Sequence, residues 1–172
     1  MAKYVQYHWK GSDIFSKISS QYNFDTNFTY DTYTYNNKEL NAIIIKSIDK
    51  CLPTWDTRPT LESLDKRFAA GSFVIYQFYQ DSLCGWCWMN EKFTLDWINT
   101  QTIDNYEIHV GGLYKLMDKE LPKNSAQDFG HYVMKYAADN YKSGGAIIED
   151  WNKASLKLFK DYKPLMVEKS FL

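Results

Sequence analysis

Between Tyr106 and Pro164 the chain runs strand, double glycine, polar loop, amphipathic helix, short apolar strand and second helix, and no other stretch constrains the fold as tightly. Tyr106 to Tyr114 alternates as a strand, with Tyr106, Ile108 and Val110 on one side and Glu107 and His109 on the other. Gly111-Gly112 interrupts it, which predicts a bulge or a place where another backbone or a ligand approaches closely. Ser125, with Asp128 three positions on, resembles a capping box, and Phe129, Tyr132, Val133, Tyr136, Ala137 and Tyr141 form one apolar stripe behind it. The helix ends at Ser143-Gly144-Gly145. Ala146 to Glu149 reads as a short buried strand, and Asn152 caps a helix with Ser155, Leu158, Phe159 and Tyr162 on one face. Pro164 closes that helix, and Leu165 to Leu172 reads as a last strand.

Upstream, Tyr4 to Trp9 reads as a strand, and Ser12 to Tyr22 has Ile14, Phe15 and Ile18 at helical spacing. In Asn23 to Asn37, Asn, Asp and Thr alternate with five aromatics, which fits either a loop or an edge hairpin. Leu40 to Ile48 reads as a helix, Pro53 breaks the chain, and Thr60 to Ala70 reads as a helix closed by Gly71. Ser72 to Tyr79 and Leu83 to Met89 are predicted antiparallel partners turning at Asp81-Ser82, and Tyr106 to Tyr114 adds a third strand. No repeat or interdomain linker is visible, so residues 1–172 are read as one domain.

With 20 basic and 21 acidic residues and no basic tract, nucleic-acid binding has no electrostatic support. The longest aliphatic run, Ala42 to Ile45, falls far short of the ~20 residues that span a bilayer, and Met1 to Lys10 lacks an apolar signal region. The expectation is a cytoplasmic protein without membrane contact. The 14 Tyr, 10 Phe and 6 Trp suit packed sheet faces and also a concave ligand site, and do not choose between them. Cys84-Gly85-Trp86-Cys87 has the CxxC form of redox motifs, but its flanks are those of a strand. Residues three apart on a strand face opposite ways, so the expectation is two reduced, buried thiols. Three histidines without ligand spacing predict no metal.

The order helix, helix, three antiparallel strands, helix, strand, helix, strand resembles the GCN5-related N-acetyltransferase (GNAT) superfamily, most strongly over residues 72–172. Its last helix carries a similar motif, Asn152-Lys153-Ala154-Ser155-Leu156-Lys157-Leu158-Phe159. The resemblance implies an α/β (α+β) GNAT fold, a mixed central sheet with an antiparallel meander flanked by helices, in which Tyr4 to Trp9 supplies the first strand. It further implies acetyl-CoA or another acyl-CoA in the cleft between the strands at Glu107 to Tyr114 and Ala146 to Glu149. Val110, Gly111, Gly112, Lys123, Ser125, Ala126, Gly130, Asn152 and Phe159 take the coenzyme positions, with phosphates at a helix N-terminus. The departures are a phosphate turn that keeps only Gly130 of its glycines, Asp128 where phosphates should sit, and Phe159 where the family often has an acidic tyrosine.

For catalysis the resemblance implies Glu107 or His109 as base toward an amine, with Tyr162 or water replacing Phe159 as acid. The acceptor is then a small-molecule or peptide amine. Two alternatives stay open: an acyl-carrier-protein-dependent N-acyl amino acid synthase, and a related fold that has lost catalysis and serves as a binding module. Family members are often dimers, so a homodimer is one option.

Overall fold

A computed structural model of the chain describes residues 4–10, 17, 20–33, 36–51, 60–91, 107–115, 120–149, 156–157, 162 and 167–171. Strands β3 (Phe73–Tyr79) and β4 (Ser82–Asn90) show why their sequences read as nearly continuous apolar runs. Phe73 and Ile75 enter one core with Cys87 and Met89, while Val74 and Tyr76 enter a second core with Trp86 and Trp88. Both sheet faces are covered, so period two places apolar residues at successive positions.

The described strands form one seven-stranded sheet in the order β2-β3-β4-β5-β6-β1-β7. The others are β1 (Tyr4–Lys10), β2 (Phe28–Tyr33), β5 (Ile108–Lys115), β6 (Ser143–Glu149) and β7 (Val167–Phe171). Every neighbouring pair is antiparallel except β5 and β6. Helix α3 (Ser125–Asn140) connects that parallel pair and buries Phe129, Val133, Met134, Ala137 and Ala138 against Ile108, Val110 and Ala146. On the opposite face, α1 (Lys38–Cys51) and α2 (Leu61–Ala69) contribute Ile44 and Leu64. Asn37 Oδ1 accepts from Leu40 N at the start of α1. Thr60 and Ser63 close a capping box on α2, and Gly71 follows with φ +93°, as the Gly71 stop predicts.

The structure adds what three sequence readings left open or placed differently. Tyr4–Lys10, expected as the first strand, lies inside the sheet, with Tyr4 pairing both Glu149 and Phe171, and Phe28–Tyr33 takes the edge beside β3. Strand neighbours are chosen by long-range pairing, and local periodicity carries no record of it. Asn23 to Asn37, open between loop and hairpin, holds that edge strand after an irregular run at 23–27. The β3–β4 turn is centred on Gln80 and Asp81, both at positive φ (48° and 65°), and not on Asp81-Ser82. Two such residues match the right-handed twist of the hairpin, which outweighs the cost of placing non-glycines there. The helices predicted at Ser12 to Tyr22 and after Asn152 fall largely outside the described residues.

Candidate active site

The predicted cleft begins where β5 and β6 part. They pair only at Ile108 with Gly144, His109 with Gly145 and Val110 with Ala146. Beyond these, β5 stays with β4 and β6 stays with β1, so the two strands separate at Gly111. The register between β4 and β5 also shifts there: Cys87 faces Leu113 and Met89 faces Val110, which sets Gly111 and Gly112 against the single residue Trp88. This is the bulge that the double glycine predicts, and it turns backbone amides out of the ladder. Because α3 runs from the end of β5 back to the start of β6, its N-terminus lies at the same end of the sheet as this gap, with Ser125 O against Gln77 of β3.

The first turn of α3 differs from the capping box. Asn124 is the N-cap and makes no side-chain cap bond, while Ser125 is the first helical residue. Ser125 is completely buried, and its Oγ has no hydrogen-bond partner among the described residues. Asp128 is also completely buried, but it turns away from the helix end. Its Oδ1 accepts from Asp25 N at 2.9 Å and its Oδ2 from the Tyr30 hydroxyl at 2.5 Å. Two donors from a segment distant in sequence outcompete a backbone amide of its own turn, and sequence spacing cannot register them. Gln77, a lone amide in the apolar run of β3, donates from Nε2 to both Ser125 O (2.9 Å) and Tyr30 Oη (3.0 Å). Burial first, and then Asp128, hold the Tyr30 phenol far above its ordinary pKa. The only anticipatory signals were Gln77 itself and the polar-aromatic alternation around Tyr30.

Next along α3, Tyr22 stacks on His131 with ring centroids 4.1 Å apart. Burial, then the Asp128 charge and hydrogen bond and the Asp25 charge, push the Tyr22 phenol up to about 12. His131 Nδ1 lies 2.5 Å from the Tyr162 hydroxyl, and Tyr162 is wholly buried in the α3 core. Of the other predicted positions, Val110 and Gly130 are buried, Ala126 is partly buried and Lys123 is exposed. Glu107 is exposed at the closed end of the β5–β6 pair, where its Oε2 accepts from Lys142 N at 2.6 Å. The His109 side chain, Asn152 and Phe159 lie outside the described residues.

Cys84 and Cys87 are buried on β4 and in no disulfide among the described residues, and burial raises the Cys87 thiol far above its usual range. The opposite-face expectation fails for a local reason. β3 and β4 shift register between Gln77 and Phe78, leaving Cys84 as the extra residue, and its sulfur lies 3.4 Å from Gln77 Oε1 on the α3 side. Beside it, Tyr79, Gln80, Ser82, Cys84, Glu120 and Leu121 line an open depression of about 260 Å³ just ahead of α3. Among the described residues there is no group of three or more His, Cys, Asp or Glu placed to hold a metal. Likewise, no helix among them is long and apolar enough to cross a membrane.

No protein-family model and no curated protein matches the sequence. Solved structures do match in fold. A functionally unknown conserved protein from Staphylococcus epidermidis superposes with TM-score 0.57 at 10% identity, covering 98% of this chain and 58% of that one, so the chain spans little more than half of its length. A putative acetyltransferase from Salmonella typhimurium, solved with its cofactor acetyl-CoA, matches with TM-score 0.52 at 13% identity over 80% of this chain and 79% of that one. An aminoglycoside acetyltransferase from an uncultured soil metagenomic sample, solved in complex with trehalose, gives 0.54 at 11% identity over 81% and 90%. The chain therefore has a mixed α/β, GNAT-like acyltransferase fold, and at these identities the likeness concerns the fold alone.

Proposed function

We propose that this chain is an N-acyltransferase that moves an acetyl or other acyl group from coenzyme A to an amine on a small molecule or peptide, by direct attack in a ternary complex. The observation that carries the reading is the parting of β5 from β6 at the Gly111-Gly112 bulge, with the N-terminus of a 16-residue helix at the same end of the sheet. Two features fit the phosphates there. The Ala126 and Gln127 amides in the first turn of α3 have no hydrogen-bond partner among the described residues, and Ser125 Oγ is buried and unsatisfied. Asp128, whose charge argued against phosphate, is already occupied by Asp25 and Tyr30. Lys123 adds an exposed cation one residue before the N-cap.

Coenzyme A supplies an activated thioester when bound. The chain's part is to hold its carbonyl oxygen against the bulge amides of Gly111 and Gly112 and to take a proton from the incoming amine. His109, two residues before the bulge, is the favoured base, because Glu107 is committed to Lys142 N at the far end of the strand pair. Water is the favoured proton source for the departing thiolate, since the Tyr162 hydroxyl is buried against His131.

Thermal unfolding with millimolar CoA or acetyl-CoA tests this. Saturation at ~100 times Kd adds ~2.7 kcal/mol, a rise of several degrees for a domain of this size. An unchanged midpoint with both ligands would sink the coenzyme reading and favour a carrier-protein donor or a binding module.

A further inference from the structure

We propose that Asp128 is a positioning residue that couples the first turn of α3 to the segment 22–30, so that coenzyme held at the one fixes the shape of the other. This inference rests on the coenzyme reading above and goes beyond it.

Residues 23–27 make no strand ladder; their local bonds are all to Asp25, from Phe28 N to Asp25 O at 3.1 Å and from Asn27 N and Asn27 Nδ2 to Asp25 Oδ1 at 2.9 Å each. Their position over α3 is therefore set by side chains. Asp128 receives the Asp25 amide and the Tyr30 hydroxyl, one on each carboxylate oxygen. Asn124 Nδ2 donates back to Asp25 Oδ2 at 3.3 Å, and Gln77 joins Ser125 O to Tyr30 Oη. Around these bonds, Tyr30 stacks on Tyr132 with centroids 4.0 Å apart, Tyr22 stacks on His131, and Phe24 meets Tyr132 edge-on. The docked side is thus fixed by the first two turns of α3, while Asn23, Thr26 and Asn27 remain exposed on the other side.

The unpartnered amides of Ala126 and Gln127 lie directly before Asp128 in the same turn. An anion bound to them restrains that turn, and the restraint passes to the Asp25 amide through the buried Asp128 carboxylate. A neutral side chain at 128 of the same shape keeps the packing but cannot accept from both donors through two carboxylate oxygens.

The test is amide hydrogen exchange at Asp25 in the full chain, with and without saturating CoA, in the wild type, Asp128→Asn and Tyr30→Phe. Wild-type Asp25 should exchange slowly, and CoA should slow it about threefold or more. Asp128→Asn should speed it about tenfold, bind CoA within about threefold of wild type, and lose the CoA effect at Asp25. Tyr30→Phe removes one of the two donors and should fall between. It carries the test should Asp128→Asn not fold. The coupling is overturned if CoA binds the wild type without changing Asp25, or if Asp128→Asn keeps the CoA effect. It is also overturned if β3 and β4 amides loosen along with Asp25, which marks a merely structural role. No CoA binding to the wild type would sink the coenzyme reading and the coupling with it, recognisable because Asp128→Asn would still free Asp25.

Discussion

At the first turn of α3 Ser125 and Asp128 are buried and bond far along the chain, the Asp128 carboxylate with Asp25 N and the Tyr30 hydroxyl, and the Ser125 backbone carbonyl with Gln77. At its last turn the polar side chains are exposed or partly exposed: Lys135 pairs with Asp139 at 2.6 Å, and Glu107 holds the Lys142 amide. Tyr141 there donates to exposed Glu91 at 3.0 Å. Water competes for every group at the second end and for few at the first. The helix is therefore pinned at the end where β5 and β6 part, and tuned only weakly where they are joined.

The sharpest test of this contrast is Asp128→Ala. It leaves a part-buried amide and a part-buried hydroxyl without their buried acceptor, and should cost about 3 kcal/mol, or roughly 6–12 °C in melting temperature by calorimetry. A loss under about 1 kcal/mol would mean that water satisfies these donors and that the two ends are alike. Gly144→Ala then asks whether burial, and not the end of the helix, sets the sensitivity. Gly144 lies at the closed end, but an added Cβ would overlap the buried Trp9 ring, so a loss of about 2 kcal/mol is expected by urea unfolding.

Alkaline pH separates the ends without mutating the core. Tyr22 and Tyr30 have folded pKa values raised above the unfolded value, so the stability they confer is complete below about pH 10. It is lost as pH rises, through about 12 for Tyr22 and beyond that for Tyr30. Tyr22→Phe should flatten the fall in melting temperature between pH 10 and 12, and an unchanged slope would remove Tyr22 from the network. Smaller still, Glu107→Gln should change stability by less than about 1 kcal/mol while keeping an acceptor for Lys142 N. Any large change in its turnover would then restore Glu107 as the base. Lys135→Ala removes an exposed i,i+4 pair and should fall within about 0.5 kcal/mol.

What the sequence by itself determined was local. The period of β3 and β4, the stripe of α3, the Gly71 stop and the bulge at Gly111-Gly112 each depend on residues within a turn or a strand of one another. Steric and burial preferences act at that range, and the element order they produce sufficed to indicate the fold class. Tertiary structure decided what depends on partners. The identical spacing of Ser125 and Asp128 serves a helix cap or a long-range anchor, and only the approach of Asp25 and Tyr30 selects the second. Cys84 turns toward the α3 side because a register shift near Gln77 interrupts the alternation. Tyr4–Lys10 reads as a strand in isolation, but its place between β6 and β7 follows from backbone hydrogen bonds that satisfy both of its edges at once.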